Sequence, residues 1–170
     1  GKVAHFIGAK SGDEIVLTAG ATMALNMIAQ CWALPRLNAG DEILISIADH
    51  HANIVPWQMV AEKTGAVLRA FPVDEDGSFN MTAFTDMITA RTKIVSVPHV
   101  SNVLGTVFPV TEMAKIAHDA NALMVVDGCQ GVIHMPVDVQ ALDADFYVFS
   151  AHKLYGPNGV GILWGKAEIL

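Results

Sequence analysis

The chain has 170 residues, 52% of them hydrophobic, and a formal net charge of −7. That is enough apolar material for one globular domain with a sizeable core. The acidic balance, without any basic stripe, argues against nucleic acid as a partner, and no apolar run approaches the roughly 20 residues of a membrane-spanning helix, so no membrane partner is expected.

Short β-type runs alternate with longer helical ones. Glu14 to Thr18 reads as a strand, and Thr22 to Trp32 as a helix with Met23, Met27 and Ile28 at helical spacing. Pro35 and Gly40 close that unit. A strand over Glu42 to Ile47, a helix over Asn53 to Thr64 and a strand over Ala66 to Phe71 follow, then a turn at Asp74 to Gly77. Met81 to Thr89 reads as a helix and Lys93 to Val97 as a strand. Pro109 to Ala120 reads as a helix with proline in its first turn. The last strands are Ala122 to Val126, Asp145 to Phe149 and Gly159 to Trp164. Strands separated by helices predict an α/β fold with a largely parallel sheet. The final pair shares a loop too short for a crossover, so those strands should be antiparallel or far apart.

The N-terminal Gly1 to His5 lacks the apolar core of a signal peptide. The two cysteines, Cys31 and Cys129, form no CxxC pair and read as reduced core thiols, which gives an expected cytoplasmic location. The Met-containing stretches read as core packing. Both ends read as cut, with residue 1 inside a helix that closes at Gly8 and Lys166 to Leu170 resembling the first turn of another. A piece of a longer protein is expected.

In an open α/β sheet, ligands bind beyond the carboxyl ends of the strands. Polar residues stand at such ends in Gly20 to Thr22, Asp49 to His51, His99 to Asn102, Asp127 to Gln130 and Ser150 to Lys153. Lys153 follows an apolar strand, where desolvation would make it a nucleophilic amine suited to Schiff-base chemistry with an aldehyde cofactor; the alternative is an exposed turn lysine. Asp127 could bind a metal, a ribose or a protonated ring nitrogen, or cap a helix. Thr22, behind a glycine at a helix start, fits a phosphate site or an ordinary N-cap. His50 could stack on a ring, act as a base or bind a metal. The triplet Asp49-His50-His51 resembles the DHH phosphoesterases in part, but the further aspartates that they need are missing. Ser150 and His152 could donate to phosphate oxygens or satisfy turn backbone. No G-x-G-x-x-G occurs, Gly159 to Lys166 lacks P-loop spacing, and no zinc-ligand spacing of Cys and His is present.

These residues lie in strings that carry a specific resemblance: His50 to Trp57 (HHANIVPW), Ser101 to Thr106 (SNVLGT), Val126 to Gln130 (VDGCQ) and Asp145 to Pro157 (DFYVFSAHKLYGP). The chain resembles the class V aminotransferase family of pyridoxal-phosphate enzymes over essentially its whole length. Within that family it is most similar to the group II cysteine desulfurases, also described as selenocysteine lyases. The resemblance implies a three-layer α/β/α sandwich around a mixed, mostly parallel sheet, with residues 1–170 forming a pyridoxal-phosphate-binding large domain and a C-terminal small domain lying beyond it.

The resemblance also implies roles. Lys153 corresponds to the lysine that carries the cofactor and then acts as acid and base at the substrate α-carbon. Asp127 corresponds to the partner of the pyridine nitrogen, and His50 to the histidine stacked on the ring. Gln130 and Asn102 correspond to residues that bond the ring hydroxyl or border the substrate. Thr22, Ser150 and His152 correspond to side chains that hold the phosphate. The implied activity converts L-cysteine or L-selenocysteine to L-alanine and passes sulfur as a persulfide to an acceptor protein of iron–sulfur cluster assembly, in a homodimer. The persulfide cysteine of the family lies in a C-terminal region that this chain does not include, so the chain alone should not complete desulfuration. Another activity of the same family, kynureninase-like or aminotransferase, and a truncated non-catalytic domain are the alternatives. Three departures stand out. Ala19-Gly20-Ala21-Thr22-Met23 replaces a common Arg-Gly-Thr-Thr-Glu, Ala151 stands where glycine is usual, and Cys129 stands where alanine is usual.

Overall fold

The computed structural model describes residues 1–170. Its strands are β1 (Ile15–Thr18), β2 (Glu42–Ser46), β3 (Val67–Phe71), β4 (Thr92–Pro98), β5 (Leu123–Asp127), β6 (Phe146–Ser150) and β7 (Gly161–Gly165). The helices are α1 (Lys2–Phe6), α2 (Ala21–Met27), α3 (Val55–Thr64), α4 (Met81–Met87), α5 (Val110–Asp119) and α6 (Gly131–His134). All the strands join one seven-stranded sheet in the order β1-β7-β6-β5-β4-β2-β3. From β6 to β3 every neighbour is parallel. β7 alone runs the other way, antiparallel to both β6 and β1.

The sheet therefore has the mixed, mostly parallel character expected from the alternating pattern, and the short final loop does join antiparallel neighbours. The strands β2, β6 and β7 are buried at every position, which requires cover on both faces and explains their unbroken apolar runs. At the edges the sheet is wetter: Leu17 on β1 is 72% exposed and Val67 on β3 is 47% exposed. Helix α5 turns Val110, Met113, Ala114 and Ala117 inward at helical spacing. Asn80 caps α4 by accepting the Ala83 N–H at 2.7 Å.

Several sequence expectations shift. The helix expected over Thr22 to Trp32 begins at Ala21 and passes into a π-helical segment at Ile28–Ala33. That segment leaves Cys31 exposed, so only Cys129 is a core thiol. Met23 and Met59 are also exposed, while Met113 and Met124 are buried. Lys166 to Leu170 form a turn rather than a regular helix, and α6 was not foreseen. Its four residues, Gly131–His134, are too few to show a helical repeat in sequence.

At the opposite rim from the strand ends that carry the site, Glu42 anchors the start of β2. It is 3% exposed, and it receives the Thr89 hydroxyl at 2.7 Å, Arg91 Nη2 at 2.7 Å and Arg69 Nη1 at 3.1 Å. Burial alone would raise its carboxyl, but these donors outweigh it and hold the group down at about 2. A depressed carboxyl stabilises the fold above its unfolded value and loses that contribution as pH falls. Stability should therefore drop between about pH 4 and pH 2. Glu42→Gln should flatten that stretch of a urea-midpoint-versus-pH curve and cost about 2 kcal/mol near neutrality. An unchanged acid limb in the variant would contradict this assignment.

Candidate active site

Because β1 shares the direction of β6, the segments after β1, β2, β4, β5 and β6 all leave the sheet at one rim. The chain proceeds outward from β2 to β3, and from β4 toward β5 and β6 on the other side. The crevice between β2 and β4 is thus a topological switch point. A cleft opens there, lined by His50, Pro98, Val100, Asn102, Asp127, Cys129, Gln130 and Lys153. Five residues singled out from sequence, His50, Asn102, Asp127, Gln130 and Lys153, come together in it.

Asp127 ends β5 with 7% of its surface exposed. One carboxylate oxygen accepts the Cys129 N–H at 3.0 Å, and no cationic side chain pairs with it. Lys153 stands on a 3-10 turn at Ala151–Leu154 that follows β6 directly. It is half-buried at the cleft wall, less enclosed than its position after an apolar strand implies. His50 caps the turn at His51–Asn53, its Nδ1 accepting the Ala52 N–H at 3.1 Å. The ring hydrogen therefore sits on Nε2.

A buried network holds the His50 turn. Asp49 accepts the Ser46 N–H and the Asn53 side-chain amide, each at 2.8 Å. Asn53 in turn accepts Trp57 Nε1 at 3.0 Å and the Ser96 hydroxyl at 2.6 Å. Burial, opposed by those donors and reinforced by the charge of Asp127, pushes the Asp49 carboxyl well up. Asp49 is thereby committed to the turn.

The remaining sequence candidates lie to one side. Ser150 ends β6, and its hydroxyl accepts the Ala21 N–H at 2.8 Å. It thus meets the first turn of α2, where Thr22 is exposed. His152 is exposed beside Lys153. Gly161 makes this junction possible, since a Cβ there would lie 2.3 Å from the Cα of Gly20. Together these place backbone N–H groups, the Ser150 hydroxyl and the Thr22 hydroxyl at one helix N-terminus, an arrangement suited to an anion.

The whole chain, residues 1–170, matches the family model described as aminotransferase class-V. The chain belongs to the class-V aminotransferase family. It is 54% identical over 169 residues to a probable cysteine desulfurase of Vibrio cholerae, covering 99% of this chain and 42% of that protein. It is 48% identical to the cysteine desulfurase of Cronobacter sakazakii, again with 99% and 42% coverage. Among solved structures, the cysteine desulfurase CsdA from Escherichia coli superimposes with a TM-score of 0.97 at 47% identity, covering 99% of this chain and 42% of that one. The chain thus spans about 42% of the length of the relatives it matches.

Cys129, expected from the sequence to be a core thiol, also forms part of the cleft wall in this class-V domain. Asp127, two residues earlier in the sequence, was the available signal. Burial, and then the charge of Asp127, push its thiol up to about 12, so it stays protonated and unreactive near neutrality. Alkylation of the native protein should modify exposed Cys31 and leave Cys129 unmodified until the chain unfolds. Rapid modification of both thiols would contradict that environment.

Proposed function

We propose that this class-V domain binds pyridoxal 5′-phosphate and forms the cofactor-binding part of a cysteine desulfurase. The observation that carries the reading is a cleft lined by both a buried, cation-free carboxylate, Asp127, and the amine of Lys153, at the sheet's switch point. The names of the relatives and the CsdA likeness support the desulfurase assignment. A cysteine substrate is further supported by a likeness to SspA in complex with cysteine, at a TM-score of 0.89 and 25% identity.

The residues present fit the group. Asp127 would hold a proton on the ring nitrogen, His50 would cover one ring face, and Gln130 and Asn102 would bond the ring hydroxyl or border the substrate. Ser150, Thr22, His152 and the first amides of α2 would hold the phosphate. When bound, the cofactor supplies a carbonyl that condenses with amines and a ring that accepts the charge developed at an amino acid's α-carbon. Lys153 Nζ is the amine at hand, and it would take and return the proton at that carbon. The cleft walls Pro98 and Val100 would keep water from it.

In the whole protein the reaction would turn L-cysteine or L-selenocysteine into L-alanine. The sulfur or selenium would leave to a thiol outside this chain and pass to an acceptor protein of iron–sulfur assembly, in a cytoplasmic homodimer. The test is quantitation of alanine and sulfide released from L-cysteine by the full-length protein supplied with the cofactor and with dithiothreitol, which reduces the persulfide to sulfide and regenerates the thiol. Equal release of both supports the reading, and release of neither overturns it.

A further inference from the structure

Beneath the cleft floor lies a buried aromatic pair with no part in the roles described so far. Tyr147 in β6 is fully buried, and its hydroxyl lies 2.9 Å from Nδ1 of His99, which follows β4. The two rings meet edge to face with centroids 5.8 Å apart. Both press on the turn that carries Asp127 and Gln130 into the cleft. A Cβ on Gly128 would come within 2.0 Å of the Tyr147 ring, and one on Gly131 within 2.5 Å of the His99 imidazole. The clamp is completed through the backbone. The His99 N–H donates to the Asp127 carbonyl at 2.8 Å, and the Gly128 N–H donates to the Val148 carbonyl at 2.8 Å.

We propose that the Tyr147–His99 pair is a positioning device that fixes the Asp127–Gln130 turn for a protonated heteroaromatic ring. The ring's identity rests on the function proposed above; the clamping of the turn does not. The two glycines are required because the pair occupies the space their side chains would fill. A carboxylate that must meet a flat ring edge-on is useful only if its backbone cannot rotate, and the interlock on both sides of Gly128 supplies that constraint. The pair also leaves the carboxylate's charge for the ligand. Burial holds His99 below its ordinary value, and burial followed by the charge of Asp127 holds Tyr147 above its own. Near pH 7 both are neutral, so His99 is no cation competing for Asp127 and Tyr147 adds no negative charge beside it.

Amide hydrogen exchange on the 170-residue chain tests this directly, because the Cys129 N–H donates to the Asp127 carboxylate and reports its placement. Tyr147→Phe removes one hydroxyl from a fully buried ring. Exchange at Cys129 should accelerate about tenfold, the equivalent of one hydrogen bond, while Val125 and Leu163 keep their protection. The dissociation constant for pyridoxal phosphate should rise by a similar factor. His99→Gln, which keeps an acceptor for the Tyr147 hydroxyl, should retain more protection at Cys129 than His99→Leu. If Tyr147→Phe leaves Cys129 exchange unchanged, or changes it only in step with the core amides, the pair is ordinary packing and the proposal fails. If the exchange signature appears but the full-length protein binds no pyridoxal phosphate, the clamp stands and the cofactor reading falls.

Discussion

Lys153→Ala abolishes the visible absorbance expected when pyridoxal phosphate is added to the chain, and leaves nothing at residue 153 for borohydride to fix. Lys153 supplies the only amine lining the cleft. Elsewhere Lys166 is held by Asp143 and Asp145, each at 2.8 Å, and Lys115 pairs with Asp119 at 2.7 Å. The substitution falls on a half-buried turn residue with no salt bridge, so stability should change by no more than about 0.5 kcal/mol. An unaltered circular-dichroism spectrum would accompany the loss, which separates lost chemistry from lost fold. Weak, colourless binding should survive through Asp127 and the N-terminus of α2. An absorbance that persists unchanged in the variant would assign the amine elsewhere.

Gly128→Ala should be strongly destabilising. The new Cβ would stand 2.0, 2.1 and 2.4 Å from three atoms of the Tyr147 side chain. That ring cannot retreat, because it is fully buried and in register with Val126 on one side and Trp164 on the other. Overpacking of this kind costs about 3 kcal/mol, which lowers the melting temperature by roughly 6–12 °C in a chain of this size. Gly40→Ala is the control, since a Cβ there meets nothing within 4 Å; its φ of +86° adds backbone strain but no collision. A thermal melt in which Gly128→Ala loses no more than the control would show that the turn and the ring can separate cheaply.

The sheet was legible because its inner strands are apolar on both faces. Runs such as Ile43-Leu44-Ile45 and Met124-Val125-Val126 can be buried only between layers, and the spacers between them have helical length. Chain order along the sheet was less legible. The placement of β1 against β7 depends on a pairing between residues as far apart as Ile15 and Trp164, which no local pattern encodes. The site was legible as a set of strand ends, and the cleft does gather His50, Asn102, Asp127, Gln130 and Lys153. Its supports were not. Asn53 and Ser96 each look like ordinary polar residues until the fold joins the turn after β2 to β4 through them, and Tyr147 reads as one more apolar strand position. The exposure of Cys31 escaped because a helical period of 3.6 places it differently from the π-helical turn that it occupies.

Ser150 reaches beyond its own strand. A hydroxyl that already accepts a hydrogen bond is polarised and becomes a stronger donor, and this one accepts from the first amide of α2. Its hydrogen is left free to point away from the helix, so partial positive charge from the helix end is relayed through an oxygen that belongs to β6. Threonine could perform the same relay. Alanine would both strand the Ala21 amide and silence the donor. The tolerance of position 150 to substitution should therefore follow hydroxyl chemistry rather than side-chain volume.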